Sequence, residues 1–189
     1  MTYTELLAKV AAWMNRDDLT AMIPDFVELA EERMNRYLRV RQMEVDLPVT
    51  SITGGKITPP AGAIDAKALW VPNHEATPLK PQALESVVAN GPDGFPTMYA
   101  WSGGDLFFDG GGDVQGVLYE RIPALATATT NWASEEAASL YLFGAMTEAK
   151  LYVGDDAGAA NWGARFQQVL DDLNGNDSRR SGPLVARAR

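Results

Sequence analysis

Residues 131–173, NWASEEAASLYLFGAMTEAKLYVGDDAGAANWGARFQQVLDDL, read as two helices joined by a tight turn. Ser134 is placed to cap the first, with Glu135 and Glu136 in the opening turn, where the helix dipole favours acids. Ala137, Leu140, Tyr141, Gly144, Thr147 and Leu151 follow at three- and four-residue steps and so share a face. Gly144 lies mid-helix, where glycine costs about 1 kcal/mol relative to alanine. Its presence predicts close packing of a neighbouring element against the backbone, with Ala137 and Ala145 adding to the smooth surface. Gly154 can take the left-handed conformation that ends a helix, and Asp155 or Asp156 can cap the next. Trp162, Phe166, Val169, Leu170 and Leu173 repeat the helical spacing, so a helical hairpin is expected.

The other end of the chain is also helical in pattern. Thr2 with Glu5 three residues on makes a capping box, and Leu6, Leu7, Val10 and Trp13 or Met14 give a short amphipathic helix. After the break at residues 15–18, Ile23, Val27, Ala30, Met34, Tyr37 and Leu38 predict a long second helix reaching Arg41 or Gln42, with Pro24 in its first turn. Its acids (Asp25, Glu28, Glu31, Glu32) precede its bases (Arg33, Arg36, Arg39, Arg41). That order suits the helix dipole and i, i+4 pairing, so a solvated helix end explains the arginines better than a nucleic-acid site does.

From residue 43 to residue 130 the pattern changes to short apolar runs broken by proline and glycine. Strands are expected at 44–49, 56–58, 66–71, 77–80, 98–101, 105–108 and 114–121, with hairpin turns at Gly54-Gly55 and Ser102-Gly103-Gly104. A helical turn fits 81–89, where Leu84, Val87 and Val88 share a face. The connections are too short for crossovers, so most pairing should be antiparallel. The expected fold is therefore α+β. Residues 1–42 and 131–174 form a four-helix core from two N-terminal helices and the C-terminal hairpin, 43–130 form an inserted, mainly antiparallel β subdomain, and 175–189 form an extended tail.

Charge divides the chain in the same way. The net charge is −9, but from Gly175 onward four arginines (Arg179, Arg180, Arg187, Arg189) face one acid, Asp177. The last fifteen residues thus carry +3 and the rest −12. An acidic body opposes general binding of nucleic acid, which depends on Lys and Arg replacing counterions. A basic arm suggests docking on something else, with Leu184 and Val185 as anchors between the arginine pairs and order gained on binding.

Few catalytic arrangements are open to this composition. The chain has no cysteine and one histidine, His74, which excludes disulfides, a thiol nucleophile and a cysteine or histidine metal cluster within one chain. No run approaches the roughly 18 apolar residues of a membrane span, and 46% apolar content is enough for a core, so a soluble protein is expected. Asp105, Asp109 and Asp113 flank three glycines and could offer oxygens to calcium, but without the spacing of an EF-hand. His74 and Glu75 could exchange a proton but have no nucleophile beside them. A small hydrolase or glycan-active enzyme using these acids is the alternative function from another class. The favoured reading has no catalytic, cofactor or metal residues, and it assigns Glu148 nothing beyond solvent exposure.

Four stretches together carry a family likeness: residues 2–19, TYTELLAKVAAWMNRDDL; residues 26–44, FVELAEERMNRYLRVRQME; Tyr119 to Leu125; and the hairpin beginning at Asn131. In these the chain resembles the head-to-tail adaptor (connector) proteins of tailed bacteriophages, with the match weakest across the inserted sheet. The resemblance implies a structural protein of the virion neck, made in the host cytoplasm. It would assemble with itself as a ring of roughly twelve copies and join the phage portal protein to tail or neck proteins. Duplex DNA would pass through the lumen without specific binding, and no membrane is involved. It also implies that the C-terminal extension docks on the portal, here through Arg179, Arg180, Leu184, Val185, Arg187 and Arg189. A tail-completion or stopper protein would differ only in partner.

Overall fold

The first helix, α1 (Tyr3–Met14), opens on a capping box. Glu5 N donates to Thr2 Oγ1, and Thr2 N donates to Glu5 Oε2. It buries Leu6 and Val10 and stops at Asn15, whose φ of 51° is left-handed. The computed structural model describes residues 1–16, 18–89 and 94–180, and the chain forms two compact units, Met1–Gln42 with Ile122–Arg189 and Met43–Arg121. The fold is α+β.

In the helical unit, α2 (Ile23–Tyr37) has proline in its first turn and buries Ile23, Phe26, Val27, Ala30 and Met34. It ends four or five residues earlier than the sequence pattern predicts. Leu38 turns extended, at φ −84° and ψ 135°, and Leu38 and Val40 go into the core, so Arg39 and Arg41 lie off the helix. Two short helices, α4 (Leu125–Ala128) and α5 (Trp132–Glu136), precede α6 (Ala138–Tyr152). (The sheet unit supplies α3, Leu84–Ala89.) The cap of α5 is Asn131, not Ser134. Asn131 Oδ1 accepts from Ser134 N, and Ser134 Oγ lies within hydrogen-bonding distance of Asn131 N, so Ser134 is the third residue of the box and fully buried. A bend at Ala137 (φ −135°, ψ 46°) then separates two helices where the spacing predicts one.

Helix α6 is buried on nearly every side, because it packs against α1, α2, α5 and the last helix, α7 (Asp156–Arg180). Leu140, Tyr141, Gly144, Ala145, Met146, Thr147 and Ala149 are all buried, and Ala137 is buried at its start. Leu151, from the predicted stripe, is exposed at the helix end. A Cβ at Gly144 would lie 2.7 Å from Ala30 Cβ and 3.1 Å from Phe166 Cε2. The turn into α7 uses Gly154 at φ 74°, and Asp155 Oδ1 accepts from Gly158 N. Helix α7 buries Ala159, Phe166 and Leu170. It runs on to Arg180, whereas the sequence reading ends the helix at 174 and starts the arm at 175. Residues 122–130, read with the sheet, lie in the helical unit.

The other unit holds β1 (Glu44–Ser51), β2 (Lys56–Ile57), β3 (Ala63–Trp70), β4 (Lys80–Pro81), α3 (Leu84–Ala89), β5 (Met98–Ser102), β6 (Asp105–Phe108) and β7 (Asp113–Glu120). One sheet has the order β1-β7-β3 and the other β2-β6-β5-β4; among the described residues only β4 and β5 pair in parallel. The β5–β6 hairpin turns on Gly103 and Gly104, both at positive φ, as a tight two-residue turn requires. Leu79 N donates to Leu69 O, tying β3 to the segment that leads into β4 of the other sheet, while the bond from Ile52 N to Gly112 O continues the β1–β7 ladder; the sheets share a core of Leu47, Leu69, Leu106, Phe108, Val114 and Leu118. The strand expected at 77–80 shrinks to Lys80–Pro81, since Pro78 and Pro81 cannot donate to a ladder. In α3, Val87 is buried while Val88 is 63% exposed, so the expected shared face does not form.

Candidate functional site

In the helical unit, α2 presents a buried acid to the segment that returns from residue 122. Glu31, 8% exposed, accepts through Oε1 from Leu125 N at 2.7 Å and from the Tyr141 hydroxyl at 3.1 Å. Asn131 Nδ2 in turn donates to Tyr141 Oη at 2.7 Å and to Pro123 O at 2.8 Å. One helical turn along α2, Asn35 Oδ1 accepts from Ile122 N at 2.8 Å. Burial raises the Glu31 pKa above the ordinary carboxylate value, with the two hydrogen bonds offsetting part of the effect. Burial likewise drives the Tyr141 hydroxyl well above the usual phenol value. This cluster holds the returning segment in place, and no residue in it is arranged as a nucleophile with its base.

A second tie joins the far end of α7 to α2. Asn174 Nδ2 donates to Tyr37 O at 3.0 Å, and Asn174 Oδ1 accepts from Arg39 N at 3.1 Å. One amide side chain thereby satisfies a carbonyl and an amide that the end of α2 leaves open. Arg39 Nη1 donates to Asn35 O and Leu38 O beside it. Asn174→Ala should therefore lower the stability of the helical unit by about 1–2 kcal/mol. Urea unfolding followed at 222 nm checks this, and an unchanged midpoint would remove Asn174 as a tie.

Of the residues assigned to the docking arm, Arg179 and Arg180 fall in the last turn of α7. Leu184, Val185, Arg187 and Arg189 lie outside the described residues. Glu148, expected in solvent, is largely covered and pairs with Arg33. Nε and Oε1 are 2.9 Å apart, an ion-pair distance, but not aligned as a hydrogen bond.

The acids of the sheet unit are engaged separately. Asp105 takes Lys56 Nζ at 2.5 Å and Thr58 Oγ1 at 2.7 Å, which hold its carboxyl below the ordinary value. Burial would raise Asp109, but Thr97 Oγ1, Thr97 N and Met98 N all donate to it and together bring its pKa below normal. Asp113 accepts from Ser51 Oγ, and Glu75 from Asn73 N and Gln115 Nε2. His74 lines a shallow hollow with Val71, Thr77, Phe95 and Pro96. A groove of about 470 Å³ between Ile52, Val87, Phe107, Phe108 and a glycine-rich floor has no carboxylate among the described residues of its lining. Among the described residues, no three His, Asp or Glu side chains gather as metal ligands, and no helix is long and apolar enough to cross a membrane.

These arrangements position backbone segments. A family profile described as SU10 adaptor protein matches residues 1–187, nearly the whole chain. The chain belongs to the SU10 adaptor protein family. No curated protein matches it at a significant level. Membership makes it a structural adaptor protein of a bacteriophage and implies a non-enzymatic virion component. For an SU10 adaptor protein, the informative features are the helix ties made by Glu31 and Asn174. The sequence reading missed Glu31 and Asn174, since each draws its meaning from residues roughly a hundred positions away.

Proposed function

We propose that the protein is a head-to-tail adaptor, a ring of roughly twelve copies that joins the portal at the capsid vertex to tail or neck proteins and continues the DNA channel. The observation that carries this reading is the family match across residues 1–187. The charge split supports it. A body of net charge −12 gives a ring lumen that repels phosphate and lets DNA slide, and the +3 end gives each copy a hook for the portal. The arm works through Arg179, Arg180, Arg187 and Arg189, with Leu184 and Val185 as apolar anchors. Ala137, Gly144 and Ala145 let the helices behind it pack closely.

The test removes residues 181–189 only, which spares α7 and the Asn174 tie. The full chain should add stoichiometrically to isolated portal rings, and the truncated chain should lose that association while its helical circular dichroism stays the same. Normal addition by the truncated chain would end the arm assignment. Failure of the full chain to add would end the adaptor reading.

A further inference from the structure

Two exposed faces of the helical unit differ in chemistry. On one, the rings of Trp13 (α1) and Trp162 (α7) lie 5.5 Å apart, and Trp162 lies 5.6 Å from Phe143 (α6). Trp13 is 51% exposed, the Arg165 guanidinium sits 5.0 Å from the Trp162 ring, and Lys9 is exposed one turn before Trp13. On the other, Tyr152 is 58% exposed with its ring 5.5 Å from Phe26, and Leu29, 45% exposed, lies one turn along α2. Asp25, Glu28 and Glu32 surround Leu29, all exposed; Arg33 on that helix is committed to Glu148, and Arg36 is the exposed cation one turn beyond Glu32. Phe143 and Tyr152 are two and a half turns apart on α6, so the two faces look out from opposite sides of it.

We propose that these faces pair between copies of the chain, the aromatic and cationic face of one against the acidic and apolar face of the next. The pairing rests on the reading of the protein as a multi-copy adaptor and names the surfaces that reading leaves open. Pairing like with like would set Asp25, Glu28 and Glu32 against their own counterparts, so the charges favour the unlike arrangement. Unlike faces on opposite sides give a head-to-tail contact, which leaves one free face at each end of any pair and closes only as a ring. The contact would cover Trp13, Leu29 and Tyr152, three large apolar side chains otherwise left in water.

Because the chain contains no cysteine, single thiols can report the contact. Ala12→Cys places one beside Trp13, and Glu32→Cys one beside Leu29, both at exposed positions. The two full-length variants are mixed at about 1 mM, where weak contacts are sampled, and treated with a short bismaleimide. The mixed product should outweigh the two same-site products together by about threefold or more, where random encounter makes them equal. The double variant should give a ladder of multimers. Adding Trp13→Ser or Leu29→Ser should return the ratio to random with helix content unchanged. A random ratio, a same-site excess, or enrichment that survives both serine variants overturns the pairing. A chain that joins portal rings but cross-links at random keeps the adaptor reading and loses these faces; one that cross-links as stated but ignores portal rings does the reverse.

Discussion

Gly144→Leu should melt the helical unit well below the unaltered chain. The first atom of any side chain at 144 meets Ala30 Cβ at 2.7 Å, with the Phe166 ring at 3.1 Å behind it. Both neighbours are buried, and both sit on helices fixed elsewhere, α2 through Asn174 and α7 through its Asp155 cap. A leucine has no room without moving one of those helices. Overpacking of this kind is worth roughly 3 kcal/mol, or about 6–12 °C in a chain of this length. Gly144→Ala separates the physical causes. Helix propensity alone would raise stability by about 1 kcal/mol, and close packing would lower it. Thermal unfolding at 222 nm reads both variants, and a rise for alanine would refute close packing at Gly144. Ala30→Gly should cost less in the Gly144→Ala background than in the unaltered chain, because there it also removes the atom that is struck.

Glu31→Ala should be nearly as damaging, at about 2–4 kcal/mol, because Leu125 N and the Tyr141 hydroxyl would both lose a buried partner. The conservative variant has a different signature. Burial, aided by Glu28 nearby, raises the Glu31 pKa in the folded state above its unfolded value of about 4.3. Below that unfolded value the group's contribution to stability is fully present, and it declines as pH rises through the folded value, because the unfolded chain ionises more readily. Asp105, Asp109 and Asp155 have lowered values and act in the opposite sense, so the whole protein's pH profile mixes both. The difference in unfolding free energy between the unaltered chain and Glu31→Gln isolates one group. It should shift against the unaltered chain as pH rises from about 4 to 7. A flat difference would show that Glu31 titrates as an ordinary surface acid.

Features set by neighbours in sequence were legible before any coordinates. The Thr2 and Glu5 box needs only residues three apart, and the Gly154-Asp155 turn and the Gly103-Gly104 hairpin depend on backbone freedom that glycine supplies locally. Tertiary effects were not. Nothing in residues 23–42 says that α2 stops at Tyr37, since its charge order and apolar spacing continue; the stop is stabilised by Asn174, which arrives from the opposite end of the chain. Ser134 and Asn131 are both good caps, and which one serves depends on Asn131 also reaching Tyr141 and Pro123. The acids of the 105–113 loop looked like one candidate site, yet Lys56, Thr97 and Ser51 claim them one by one from separate segments. Glu148 looked free only because Arg33 lies on another helix.

The way α2 grips the chain bears on how such a protein can change over generations. Ile122 and Leu125 on the returning segment are bonded to Asn35 and Glu31, and Arg39 on the outgoing segment is bonded to Asn174. Both entry and exit of the intervening strands are thereby fastened within the helical unit, with no strand residue needed for the fastening. A fold fastened like that works as a chassis with a socket. Substitutions in the strand cassette can then accumulate without loosening the bonds that hold its two ends.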